Sequence, residues 1–332
     1  MLKKYTLLVA FAVYISAALN ITTYTYKTVG DLKIELDVYT PSTAAPINGY
    51  PVVLALHPGG LLAGSKDGAL TDQEFNEAVN RGWVVVPIDH RLLPGVFFDD
   101  IYEDVQDAYQ WVHTELPKIT PVNLDAIILF GRSAGGGLAV LGGYKFSPRP
   151  KAIIGFYSFC TNWTDPYAYK PETPVNPLIV AAANFYSKPV VTEFNPTKFP
   201  DPKDDLWNAA VDSGKIGWMV TTHDPNFPSD QIIAKLREYS ATEHVDENYP
   251  PTYLAHGLAD TVVPYSQSVQ FANVLLRNNI PYILDLVPNV NHAFDNDTAL
   301  FQQYVLPAFD FAQKYIESET TTKTPDVKFL EI

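Results

Sequence analysis

Ala126-Ile127-Ile128-Leu129-Phe130-Gly131-Arg132-Ser133-Ala134-Gly135 joins an apolar run of strand length, through a turn rich in glycine, to the helix-compatible run Gly136 to Tyr144. Glycines two residues either side of a serine let the backbone close sharply without a Cβ in the way. The hydroxyl then stands at the carboxyl edge of a sheet, with a helix N-terminus beneath it. The five-residue string by itself is common. Its strand–turn–helix setting makes Ser133 the candidate nucleophile.

Outward from this turn the chain keeps one rhythm. Residues Tyr24 to Tyr39 read as two strands around Gly30-Asp31, with alternation in Leu32-Lys33-Ile34-Glu35-Leu36. Val52 to Leu56, Trp83 to Ile88, Ala152 to Phe156, Thr252 to Ala255 and Tyr282 to Val287 are further apolar runs. Val52 to Leu56 is apolar without alternation, as a central strand covered on both faces requires. Between the runs lie helical patterns. Ile101, Val105, Ala108, Trp111 and Val112 share one face behind an acidic start at Asp99 and Asp100, which suits the positive end of the helix dipole. Phe75 and Val79 share a face in an earlier helix. Strand–helix–strand alternation predicts an α/β fold with a mostly parallel sheet flanked by helices.

From Cys160 to Asn248 the rhythm stops, and prolines mix with Trp163, Tyr167, Tyr169, Phe185, Tyr186, Trp207 and Trp218. So long a structureless loop does not suit a compact domain, so 160–248 is expected to be an inserted cap. Ile232, Leu236 and Tyr239 mark one cap helix, and most of the aromatics are expected to pack within the cap. The core is then 19–159 and 249–317, and 318–332 a flexible tail.

Composition narrows the function. The chain has 332 residues and a net charge of −14, which repels phosphate backbones and argues against nucleic-acid binding. Cys160 is the single cysteine, so no intrachain disulfide or thiolate cluster can form. None of the seven histidines falls in an HExxH pair, and neither metal nor cofactor is expected. Lys3 and Lys4 precede an apolar run from Leu7 to Leu19 closed by Ser16, Ala17 and Ala18, the shape of a secretory signal spanning 1–18. That run is shorter than a membrane span of ~20 residues. A secreted protein is expected, with a cytoplasmic one as the alternative.

A serine hydroxyl needs a base to take its proton. His292, in Asn291-His292-Ala293-Phe294 after the last apolar strand, sits where a loop can reach back over the sheet edge. His113, in a helix, and His223, in the cap, are read as structural. The base needs a carboxylate to fix its tautomer. Asp260, in His256-Gly257-Leu258-Ala259-Asp260, follows the penultimate strand, and His256 stands where it can orient that loop. Asp285 is embedded in its strand and Asp295 lies close to His292 in sequence. The oxyanion needs N–H donors. The loop His57-Pro58-Gly59-Gly60 after Leu56 offers flexible backbone, and the N–H of Ala134 is a further contributor.

The order Ser133, Asp260, His292, together with His57-Pro58-Gly59-Gly60, resembles the esterase and lipase families of the α/β-hydrolase superfamily that carry an HGGG-type oxyanion motif. These are the hormone-sensitive-lipase-like and the feruloyl- or acetyl-esterase-like enzymes, and the similarity runs from about residue 24 to 316. The resemblance implies that Gly59 and Gly60 donate to the oxyanion, with His57 the motif's first residue. Pro58 replaces a glycine that is not a donor. Asp89-His90-Arg91-Leu92 resembles a structural segment of those families. Arg132 in the elbow, where many lipase-like members have Asp, resembles the feruloyl- or acetyl-esterase side. The function implied is hydrolysis of a carboxylic ester, a small-molecule substrate, through a Ser-His-Asp triad and an acyl-enzyme. Alternatives on the same residues are a prolyl-oligopeptidase-like peptidase or amidase, an acyltransferase or biosynthetic enzyme, and a non-catalytic binding protein of this fold.

Overall fold

The computed structural model describes residues 20–185, 188–191 and 202–318, the side chains of 202–205 excepted. The expected signal (1–18), Tyr186 and the tail beyond Ser318 lie outside the described residues. In chain order the elements begin β1 (Asn20–Val29), β2 (Leu32–Thr40), β3 (Tyr50–Leu56), α1 (Asp72–Asn80), β4 (Val84–Ile88) and α2 (Phe98–Thr114). They continue with β5 (Val122–Arg132), α3 (Ala134–Lys145), β6 (Ala152–Phe156), α4 (Pro177–Phe185), α5 (Pro202–Ser213), α6 (Ile216–Thr221) and α7 (Ser229–Tyr239). The remainder is β7 (Thr252–Gly257), α8 (Ser266–Arg277), β8 (Tyr282–Val287), the one-turn α9 (Thr298–Leu300) and α10 (Leu306–Glu317).

The described strands form one sheet in the order β1-β2-β4-β3-β5-β6-β7-β8. β1 and β2 pair antiparallel, β2 meets β4 antiparallel, and every later pairing is parallel. This is an α/β-hydrolase fold. Period-two geometry sends alternate residues of each central strand to opposite faces. Val52, Leu54 and Leu56 of β3, with Ile127 and Leu129 of β5, join one apolar cluster with Ile101 and Val105 of α2, Leu138 of α3 and Phe271 of α8. Val53, Ala55, Ile128 and Phe130 join the other, with Ala78 of α1 and Ala308 and Phe309 of α10. Both faces are covered, so the central strands carry no polar alternation.

Helix starts are specified locally. Thr71 and Glu74 cap α1 reciprocally: the Glu74 N–H donates to Thr71 Oγ1 at 3.2 Å, and the Thr71 N–H to Glu74 Oε2 at 2.7 Å. At α2 the Phe97 N–H donates to Asp100 Oδ2 at 3.0 Å. The stretch 160–248 carries α4 to α7. Ile232, Leu236 and Tyr239 form the buried side of α7. Trp163, Tyr169 and Trp218 are buried in the same cluster as one face of the sheet, Tyr167 and Trp207 are half-buried, and Phe185 is exposed. Tyr239 reaches α2, its hydroxyl 2.7 Å from Asp99 Oδ1, beside Lys235 Nζ at 3.0 Å from Asp99 Oδ2. These contacts seat the segment over the carboxyl edge of the strands. Among the described residues no helix is long and apolar enough to cross a membrane.

Candidate active site

The turn from β5 to α3 holds Ser133 at φ 52°, ψ −118°, a conformation that costs about 1–3 kcal/mol in a residue with a Cβ. Its neighbours over-determine it. The Ser133 N–H donates to Phe156 O at 2.9 Å, and Ser133 O accepts from the N–H groups of Gly137 and Phe159 at 3.0 Å each. The flanking glycines are required by close approach: a Cβ on Gly131 meets Gly135 O at 2.1 Å, and one on Gly135 meets Leu56 O at 2.1 Å.

His292 and Asp260 converge on this serine from the loops after β8 and β7. His292 Nε2 lies 3.0 Å from Ser133 Oγ, and His292 Nδ1 lies 2.7 Å from Asp260 Oδ2. A carboxylate can only accept here, so Nδ1 carries the proton and Nε2 faces the hydroxyl as an acceptor. Burial alone raises the Asp260 carboxyl. Hydrogen bonds from His256 and His292, the His292 charge and the Val263 N–H outweigh burial and hold it well below the usual carboxylate range. The N–H groups of Val262 and Val263 donate to Asp260 Oδ1 at 2.8 and 2.9 Å. His256 is fully buried, its Nε2 3.2 Å from Asp260 Oδ2 and 3.0 Å from Val263 O, its Nδ1 2.8 Å from Ser268 Oγ. Asn291 ties the two loops, its Oδ1 accepting from the N–H groups of Thr261 at 2.9 Å and His292 at 2.7 Å. The rival carboxylates go elsewhere: Asp285 takes the Tyr253 hydroxyl, and Asp295 points away from Nδ1 into a buried ion pair.

The loop after β3 turns back on itself through Gly59 (φ 122°) and Gly60 (φ 62°). Among the described residues neither of their N–H groups donates to a backbone carbonyl. The Ala134 N–H, first in its helix, is likewise free of an i−4 partner. His57 is buried, its Nδ1 2.8 Å from Pro58 O, and its ring stacks on His90 at 4.3 Å and 13°. Burial, with His90 beside it, pushes His57 down to about 3, and burial pushes His90 down to about 4. Both rings are therefore neutral near pH 7 and brace the loop without charge. In the same segment Arg91 makes paired bonds to Asp104, from Nε at 2.8 Å and Nη2 at 2.8 Å. His113 packs against Tyr109, and His223 against Phe97 and Trp218.

Two contributors escaped the sequence. A Cβ on Gly60 meets the Trp207 ring at 3.4 Å, so α5 lays an indole over the glycine loop. Trp207 also faces Phe159 at 5.0 Å, and Phe159, whose N–H donates to Ser133 O, packs in turn on Trp163 and Tyr167. The second is Arg132, which turns inward to Asp295 and the carbonyls of Gly68 and Ala69 instead of toward the space over Ser133. A groove of about 1370 Å³, with Asn123, Lys151, Tyr249 and Pro281 in its lining, lies at the opposite, amino-terminal edge of the strands. Sheets of this kind bind ligands at the carboxyl edge, and the groove holds none of the residues above. Among the described residues no group of three His, Cys, Asp or Glu side chains could hold a metal ion.

Fold and site together define an esterase-like α/β-hydrolase. Residues 36–275 match the family model BD-FAE, and the chain belongs to that family. It is similar to a protein of unknown function from Staphylococcus aureus subsp. aureus Mu50 (TM-score 0.65, 21% identity, covering 89% of this chain and 99% of that one). It is also similar to the butyrate-bound thermophilic esterase Est2 of the Planctomycetes species Thermogutta terrifontis (TM-score 0.62, 19% identity, 88% and 93%). In sequence it is 26% identical over 348 residues to the non-reducing polyketide synthase ascC of Acremonium egyptiacum, covering 92% of this chain. The chain spans only 16% of that synthase's length.

Proposed function

We propose that the chain is a serine carboxylic ester hydrolase in which Ser133 is the nucleophile, His292 the base and Asp260 its partner. The observation that carries this reading is the unbroken relay from Asp260 Oδ2 to His292 Nδ1 (2.7 Å) and from His292 Nε2 to Ser133 Oγ (3.0 Å). Ser133 Oγ attacks the ester carbonyl carbon while its proton passes to His292 Nε2. The carbonyl oxygen takes the negative charge and rests on the N–H groups of Gly59, Gly60 and Ala134. As the tetrahedral species collapses, the imidazolium returns its proton to the departing alcohol and leaves an acyl-serine. Water then gives a proton to His292 and its oxygen to the acyl carbon; as the second tetrahedral species collapses, the carbon–Oγ bond breaks, His292 returns the proton to Ser133 Oγ and the acid is freed. Asp260 stays ionised throughout and stabilises the imidazolium. The steps need no metal or cofactor, and the substrate is a small-molecule ester. The test is p-nitrophenyl ester hydrolysis across acyl lengths by wild type and Ser133→Ala. Turnover of short esters by wild type alone is expected, and equal turnover by the variant overturns the assignment.

The likeness to a segment of polyketide synthases supports a second reading, in which the same relay acts on a polyketone or aromatic acyl group, delivered to water or to another acceptor. The half-buried rings of Tyr167 and Trp207, backed by Phe159, suit a flat acyl chain. Faster turnover of an aromatic acyl donor than of short aliphatic esters, whether to water or to an added alcohol, distinguishes it from the first reading.

A further inference from the structure

Behind the relay lies a second set of buried groups, linked to both ends of the Ser133–His292 bond. Arg132 immediately precedes Ser133 and is only 6% exposed. Its Nη1 donates to Asp295 Oδ2 at 2.9 Å, its Nη2 to Gly68 O at 2.6 Å and its Nε to Ala69 O at 3.3 Å, and Nε lies 3.7 Å from Glu74 Oε2. Asp295 is fully buried and sits three residues after His292, beyond a left-handed Ala293. Its other oxygen, Oδ1, accepts from the Tyr157 hydroxyl at 2.6 Å. The Tyr157 ring meets the His292 ring edge-on, centroids 4.5 Å apart at 60°. Tyr157 itself follows Phe156, whose carbonyl takes the Ser133 N–H.

These contacts close a circuit. The nucleophile and the base meet directly across 3.0 Å, and they meet again through Arg132, Asp295 and the short loop back to His292. A buried arginine–carboxylate pair contributes little net stability over apolar packing, because both charges must be stripped of water. Stability therefore gives a weak reason for it here. What the pair does supply is fixed geometry, since the guanidinium is held at once by Asp295 Oδ2 and the carbonyls of Gly68 and Ala69, and the other carboxylate oxygen by the Tyr157 hydroxyl, which leaves neither group free to rotate. Both its ends lie within three residues of the reacting atoms.

Resting on the ester-hydrolysis reading above, we propose that Arg132, Asp295 and Tyr157 are positioning residues that hold the serine turn and the histidine loop in register. None of them touches the substrate. The Arg132 head is occupied by Asp295 and two carbonyls, and the Tyr157 hydroxyl is occupied by Asp295. Their effect is on the Ser133–His292 distance alone.

The test uses the full chain with Tyr157→Phe and Asp295→Asn, and Tyr109→Phe as the comparison. Tyr157→Phe keeps the ring against His292 and removes only the hydroxyl. Tyr109→Phe likewise removes one buried hydroxyl, bonded at 2.9 Å to Pro148 O and remote from the site. The readouts are kcat and KM for p-nitrophenyl butyrate, the rate of fluorophosphonate labelling, and Tm. Misplacement of reacting groups by about 1 Å costs ~100-fold. A fall of about tenfold to 100-fold in kcat is expected for both site variants, with KM within about twofold and labelling slowed in parallel. Tyr109→Phe is expected to lower Tm with kcat unchanged. Tyr157→Phe that lowers Tm but labels and turns over like wild type overturns the proposal and leaves the ester-hydrolysis reading standing. Wild type that neither labels nor turns over overturns both.

Discussion

Glu74 gives a prediction whose sign and size follow from burial. It is the third residue of α1 and fully buried, with Oε2 bonded to the Thr71 N–H and Oε1 without a donor among the described residues. Burial drives its carboxyl up, the Arg132 charge pulls it down and the Asp295 charge pushes it up again, for a net rise from its ordinary 4.5 to about 8. The unfolded chain releases this proton near pH 4.5, whereas the folded chain keeps it until about 8. Within that window the folded state binds more protons, so stability falls as pH rises. The contribution is fully present below pH 4.5 and lost by about pH 8. At ~1.4 kcal/mol per unit, the loss at pH 8 is on the order of 4 kcal/mol. Glu74→Gln fixes the neutral form. Its amide oxygen still accepts from Thr71, as a capping box allows, and its NH₂ can donate toward Asp295. Wild type and variant should therefore melt together near pH 4.5 and diverge as pH rises. In a domain of this size the variant should gain roughly 8 °C at pH 8. Thermal melts by circular dichroism at half-unit steps from pH 4.5 to 8.5 measure this. Parallel curves, or a variant less stable at pH 8, refute the reasoning that Glu74 is held protonated.

Further expectations concern the site. Asp260→Asn keeps the shape but leaves His292 without its orienting carboxylate, and kcat for ester hydrolysis should fall on the order of 10⁴-fold with little change in KM. Gly131→Ala places a Cβ 2.1 Å from Gly135 O, so the turn must open, and activity should be lost even in protein that stays folded by circular dichroism. Trp207→Ala removes the indole over Gly60, and the kcat/KM ratio of long to short p-nitrophenyl esters should rise about tenfold or more. Sequencing of protein recovered from a secreting host should read Leu19 first if the segment 1–18 acts as a signal; an intact Met1 contradicts secretion by that route.

The sheet was legible in the sequence because parallel strands covered on both faces have to be apolar throughout. Val52 to Leu56 and Ile127 to Phe130 divide residue by residue between two clusters, and each run shows it. The serine turn was legible because steric closure there admits only glycine at 131 and 135. His292 and Asp260 could be singled out because each follows a strand at its carboxyl end, where a side chain can reach the same edge. The supporting groups were not legible. Nothing in the sequence links Glu74, Arg132 and Asp295, and only the packing of α1 and the 294–296 turn against β5 buries them together. Trp207 looked like any other cap aromatic, because its place over Gly60 depends on how α5 docks. Asn291 and Thr261 carried no signal, since their bond links loops thirty residues apart.

The most direct test of the central claim is to label wild type with a fluorophosphonate, map the adduct by peptide mass spectrometry, and follow p-nitrophenyl butyrate hydrolysis in the same samples. The account predicts one adduct, on Ser133, with turnover lost in proportion to labelling. Turnover that survives complete labelling, or an adduct on any other residue, contradicts it.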